Sequence, residues 1–213
     1  MTKASRRRLL AGTALWAALS ATGGLGGCGS LLPKPAPAPA QFALDDPAPA
    51  RTARPPPATA PTLIVGTPRA AAGFDTRRIV YLRQAHELEG FAYHQWVDTP
   101  AQMLAPLIAQ AIERTGAFRA VLRAPTAATA ELRLDTELIR LQHEFLAAPS
   151  KVRLTLRAVL VDVATRRVLA WREFDTSVPS ASEDPYGGVL AANQAVSELL
   201  TELAAFCAQA SSR

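Results

Sequence analysis

Three long runs in the second half of the chain constrain its fold more than any other feature. Leu132, Leu134, Thr136 and Leu138 alternate with charged residues. Val152, Leu154, Leu156, Ala158 and Leu160 do the same, with Lys151, Arg153, Thr155 and Arg157 in between. A period of two sustained over this length belongs to a strand with one buried and one solvated face. A third run, Arg167 to Val178, follows Ala164-Thr165-Arg166, a connection of hairpin length. The three runs predict an antiparallel meander.

Upstream, Thr62-Leu63-Ile64-Val65 reads as a short strand closed by Gly66-Thr67-Pro68. Arg78 to Arg83 and Phe91 to Val97 read as two more, rich in β-branched and aromatic residues, with Glu89-Gly90 as the turn between them. In the latter strand, alternation places Phe91, Tyr93 and Gln95 opposite Ala92, His94 and Trp96.

A helix follows. Thr99, Pro100 and Gln102 have the spacing of a capping box with proline at the first helical position. Leu104, Leu107, Ile108, Ala111 and Ile112 form one apolar face, and Gly116 is the expected stop. Pro106 removes one backbone hydrogen bond, so a bend is expected there. Phe118 to Leu122 reads as a strand leaving the helix. A second helix opens with Asp184 as cap and Pro185 behind it, and Gly187-Gly188 loosens its start. Its stripe of Val189, Ala192, Val196, Leu199, Leu203 and Phe206 suits packing on the sheet, with a coiled coil to a partner as the alternative.

The N-terminal part is of a different kind. Lys3, Arg6, Arg7 and Arg8 precede an apolar stretch from Leu9 to Leu19, too short and too rich in small residues for a ~30 Å bilayer core. Leu25-Gly26-Gly27-Cys28 then resembles a bacterial lipobox. That resemblance implies cleavage before Cys28, lipid on its thiol, and acylation of the new amino terminus. Two or more acyl chains, at ~0.8 kcal/mol per buried CH₂, give stable anchoring. Ser5 to Leu10 resembles a twin-arginine export motif, with an ordinary basic signal front as the alternative. Gly29, where enterobacterial retention would need Asp, points to the outer membrane.

Ten of the 17 prolines fall between Leu32 and Pro61. Such a stretch favours extended polyproline II over helix or central strand. Within it, Phe42 and Leu44 share one face of an extended segment. They form either a docked edge strand or a chance apolar pair in a linker.

The expected architecture is therefore α+β: a mostly antiparallel sheet with two main helices packed on one face, preceded by a signal peptide and a Pro/Ala-rich tether. The boundaries are 1–27 for the signal peptide, 28–61 for the lipidated N-terminus and tether, and 62–213 for the domain.

Charge gives no support for nucleic-acid binding. Of 23 Lys and Arg, four precede Cys28 with no acid beside them, which leaves 19 basic against 18 acidic residues. With Cys28 lipidated, Cys207 has no disulfide partner and reads as a buried thiol. His86, His94 and His143 show no metal-ligand spacing, and there is no nucleophile elbow, P-loop or GxGxxG. Asp135 and Glu137 share a strand face, have Arg133 and Arg140 as neighbours, and read as a solvated ion-pair surface. Neither an enzymatic site nor a cofactor or metal site is expected.

Several motifs keep their order behind the lipobox. They are Phe42-Ala43-Leu44, then Asp75-x-x-Arg78-Ile79-Val80-Tyr81, then Leu88, Tyr93, Trp96, Pro100 and Leu104. Gly116-x-Phe118, Leu132-x-Leu134-x-x-Glu137-Leu138 and Arg167-x-Leu169-Ala170 follow. Together they resemble the ABC-type transport auxiliary lipoprotein family from about Phe42 to about Phe206. Phe42 stands where the family usually has Tyr, so any bond from that hydroxyl is lost. The resemblance implies a lipid-anchored protein on the periplasmic face of the outer membrane. Its implied partners are an MCE-domain protein with an ABC permease and ATPase, in inter-membrane lipid transport. The resemblance leaves room for a homo-oligomer and supplies no catalytic residue. Interface cores favour aromatic side chains, so Tyr81, Tyr93, Trp96 and Trp171 are candidates for a contact surface, with the hydrophobic core as the alternative for each. A structural or assembly role in the cell envelope is the competing reading.

Overall fold

The computed structural model describes residues 37–47 and 56–211. The signal segment, Cys28 and much of the tether lie outside the described residues. The elements run β1 (Ala40–Phe42), β2 (Thr62–Val65), β3 (Arg69–Ala70), β4 (Arg78–Leu82), β5 (Glu89–Trp96), α1 (Pro100–Glu113), β6 (Ala120–Arg123), β7 (Leu132–Glu144), β8 (Lys151–Asp162), β9 (Val168–Pro179) and α2 (Pro185–Ala210).

β7 is the spine. One edge pairs antiparallel with β8 over its whole length, and β8 pairs antiparallel with β9, as the alternating runs predict. The other edge is too long for any one of the short upstream strands. β2 meets it at Leu132–Leu134, β3 at Glu137–Leu138 and β4 at His143–Glu144, all parallel. β6 extends the sheet beyond β2, and β5 then β1 extend it beyond β4. The sheet is thus mixed: its long pairings are antiparallel and most of its short ones parallel.

Both helices cover one face, α2 over β8 and β9 and α1 over β2 and β6, and the helices touch each other. Leu134, Leu138, Leu154, Leu156 and Leu160 point under them and are fully buried together with Ile108, Ile112, Leu199, Leu200 and Leu203. α2 is therefore a core element of this chain. Cys207 is buried with them, and burial pushes its thiol up to about 12.

Several local expectations are corrected. Of the two readings of Phe42 and Leu44 the docked edge strand holds, so residues 40–46 pack with the domain although they precede the boundary set at Thr62: β1 pairs with β5, Leu44 is buried, and Asp46 forms an ion pair with Arg114. Glu89 and Gly90 open β5 rather than forming a turn; a Cβ on Gly90 would strike the Arg78 guanidinium. A register shift against β4 breaks the alternation of β5, so Phe91 and His94 bring their rings 6.2 Å apart instead of facing opposite ways. Thr99 is the N-cap of α1 but its side chain caps nothing, and its N–H donates to Asp98 Oδ1 at 2.7 Å. Helix α1 continues through Pro106. Asp184 does cap α2, accepting from the Gly187 N–H at 2.8 Å.

The C-terminal end of β7 carries a buried polar group. His143 faces α2, its Nε2 lies 2.8 Å from Ser150 Oγ, and its Nδ1 has no partner among the described residues. Burial holds the imidazole below its usual range, against the opposing pull of Glu183 and Asp184. The folded state therefore disfavours a proton that the unfolded chain accepts below about pH 6.5. Stability is expected to hold above that pH and to decline as pH falls below about 6.5. His143→Gln should flatten the decline, as read from urea midpoints measured across this window.

Candidate docking surfaces

The four aromatic candidates separate into two kinds. Trp96 and Tyr81 are buried; Trp96 belongs to the core, and the Tyr81 hydroxyl donates to Glu89 Oε2 at 2.8 Å. Core packing and a satisfied hydroxyl remove both from direct contact with a partner. Tyr93 is exposed, and Trp171 is 66% exposed.

Trp171 sits on the sheet face that no helix covers. The register of β8 and β9 sets Trp171 opposite Val159 and Val168 opposite Val161, with Leu169 as the extra residue of a bulge. Val163, Val168 and Leu169 are exposed beside them. The apolar end of this face gives way to charge: Arg157 reaches Glu173 at 3.0 Å and Glu137 at 3.6 Å, and Arg153 reaches Asp175 at 2.7 Å. Arg133 pairs with Asp135 at 2.8 Å, as the solvated ion-pair reading expects. The Arg153 guanidinium and then the Thr155 hydroxyl hold the Asp175 carboxyl below the usual carboxylate range, against desolvation. These ladders tie up their own charges and leave the hairpin tip as the apolar part of the face. β9 is also an edge, paired only with β8.

A second surface lies at the other end of β7. Rings follow one another from Tyr186 to Phe42 (6.2 Å between centroids), His94 (6.0 Å), Phe91 (6.2 Å), Tyr81 (4.3 Å) and Phe145 (6.0 Å). His94 is half-buried and stacked on Phe42, a packing role rather than a base. The sequence pattern pointed to single residues of this strip and missed its continuity, because Phe145 and Tyr186 stand outside any alternating run. The two surfaces are separated by the length of β7, from the Leu132–Asp162 pair to the His143–Tyr81 pair. At about 3.3 Å per residue this is roughly 40 Å.

An open pocket of about 330 Å³ lies between the first turns of α1 and the ends of β2 and β6. It holds Arg123, Gln102 and Thr67 but no carboxylate or histidine, so it offers no acid–base pair. Among the described residues, no group of three His, Cys, Asp or Glu converges to hold a metal. No helix among them is long and apolar enough to cross a membrane.

The fold and its exposed surfaces define a two-layer α+β domain built around one long strand. The chain belongs to the family of the ABC-type transport auxiliary lipoprotein component, which it matches over residues 42–204. It is similar in structure to protein XCC0632 from Xanthomonas campestris, at 23% identity and a TM-score of 0.69, covering 81% of this chain and 96% of that one. An uncharacterized protein is similar at 10% identity and a TM-score of 0.63, covering 80% and 99%. At these identities the likeness shows the fold alone. No curated protein matches the sequence.

Proposed function

We propose that this protein is the outer-membrane docking component of an inter-membrane lipid-transport system. It holds an MCE-domain protein, served by an ABC permease and ATPase, and has no turnover of its own. The observation that carries this reading is the apolar hairpin tip around Trp171. It lies on the bare sheet face at the end of the domain remote from β1, where the N-terminal chain enters. An anchored N-terminus leaves that tip free to meet a partner across the periplasm, and aromatic side chains in a polar rim are what interface cores use.

The test is capture of the cognate MCE protein by the soluble mature chain. The bait must retain residues 40–46, since Leu44 and the Asp46–Arg114 pair belong to the fold. Trp171→Ala is expected to reduce affinity by about thirtyfold or more, corresponding to a hot-spot loss of about 2 kcal/mol or more. Its unfolding midpoint should stay unchanged, because the side chain is exposed. Absence of binding by the wild-type chain, with unchanged detergent sensitivity in a deletion strain, would favour a structural role in the envelope.

Anchoring is tested separately. Cys28→Ser should leave the precursor uncleaved and unlabelled by radioactive palmitate. Normal cleavage and labelling of that variant would remove the lipid anchor from the proposal.

A further inference from the structure

We propose that the exposed rim of the ring strip, with Tyr186, Leu190 and Leu146 on it and the buried Tyr81 ring as its support, is a membrane-contact surface, which lays the β1 end of the domain on the phospholipid interface. The inference rests on the lipid anchor at Cys28, but not on the identity of any transport partner.

Three observations converge. The first is where the chain enters. Ala40 pairs with His94 in the middle of the strip, so the link from Cys28 to the fold is residues 29–39 and not the whole proline-rich stretch. Fully extended, that link spans at most about 40 Å. A link this short holds the strip near the bilayer at millimolar effective concentration, where even a weak interfacial contact is populated. The hairpin tip lies roughly 40 Å farther along β7.

The second is what the strip exposes. Tyr186 is 59% exposed, with Leu190 exposed one turn further along α2 and Leu146 exposed beside Phe145. Tyr93 and Leu88 are exposed on the adjoining β5 and its preceding loop. Apolar exposure of this kind suits a contact surface, and tyrosines that are apolar at one end and polar at the other suit the headgroup boundary.

The third is charge. Arg83 is exposed with its guanidinium 5.2 Å from the centre of the Tyr81 ring, within reach of lipid phosphates beside the strip. Of the nearby acids, Glu183 accepts from the Ser150 N–H at 2.8 Å, Asp184 caps α2, and Glu89 accepts from the Tyr81 hydroxyl.

The mature chain is coupled through Cys28 to a maleimide lipid in phosphatidylethanolamine/phosphatidylglycerol vesicles. Cys207 does not compete, being buried with its thiol pushed up to about 12. Tyr186→Trp in a Trp171→Phe background is expected to show blue-shifted emission that is quenched by brominated acyl chains. The wild-type chain, whose exposed indole is Trp171, is expected to show neither effect on coupling. Absence of quenching at position 186, or equal quenching at position 171, overturns the proposal. So does loss of MCE-protein capture on combining Tyr186→Ser with Leu190→Ser when vesicle quenching is absent, which makes the strip a protein interface. The coupling is chemical, so a failure of lipidation in the cell is read by palmitate labelling and leaves this result intact.

Discussion

Leu203→Ala is expected to lower the free energy of unfolding by ~2–5 kcal/mol, the range for removing a fully buried leucine side chain and leaving a cavity. Leu203 has no exposed surface, and α2 packs on α1, β8 and β9 at once. Collapse around the missing atoms would have to move a helix or a pair of long strands, which favours the upper half of the range. Leu190→Ala is the internal control. That residue lies in the same helix on the opposite, exposed side, and its loss should stay within about 0.5 kcal/mol. Urea denaturation of the two variants reads the contrast directly. A Leu203→Ala loss as small as that of Leu190→Ala would mean that α2 is not part of this core.

That helix also shows what the sequence makes legible. Its apolar stripe carries the period of an element buried on one side, and Leu199, Leu203 and Cys207 lie where the period places them. The meander is legible for the same reason: an alternation of Leu132, Leu134 and Leu138 against Arg133, Asp135 and Glu137 leaves one way to turn the strand. The joins to β7 are not legible. Three-residue and two-residue parallel contacts from β2, β3 and β4 carry no register signal of their own. They follow from the length of β7, whose free edge needs partners. The break in β5 is hidden likewise, because alternation is the only guide and the bulge overrides it. Of the docking surfaces, Trp171 and Tyr93 stand out as aromatics in strands, but exposure separates them from Tyr81 and Trp96, and exposure depends on which face the helices cover. Phe42 is a middle case. Its spacing from Leu44 marks an extended segment, whereas the strip it joins is assembled from residues as distant as Tyr186.

The glycine pair at the start of α2 leads to the second large effect. Read from the sequence, Gly187-Gly188 loosens the helix; in the fold it admits a close neighbour. A Cβ on Gly188 would lie well inside van der Waals contact of His143 Nδ1, and one on Gly187 would strike the Ser182 carbonyl. The His143 ring has little room to yield. Its Nε2 is held by Ser150, and its other face meets Phe145 with ring centres 4.1 Å apart. Helix propensity alone would make Gly188→Ala stabilising by about 0.5–1 kcal/mol. Overpacking a buried ring opposes this with about 1–3 kcal/mol, and the steric effect should win. Gly188→Ala is therefore expected to destabilise by about 1–2 kcal/mol, and Gly188→Val by more. His143→Ala provides the decisive comparison. In that background the obstacle is gone, so Gly188→Ala should become neutral or stabilising, and the double-mutant cycle should show coupling of about 1–3 kcal/mol. Additive losses would mean that the glycine serves backbone geometry and not the close approach of α2 to the end of β7.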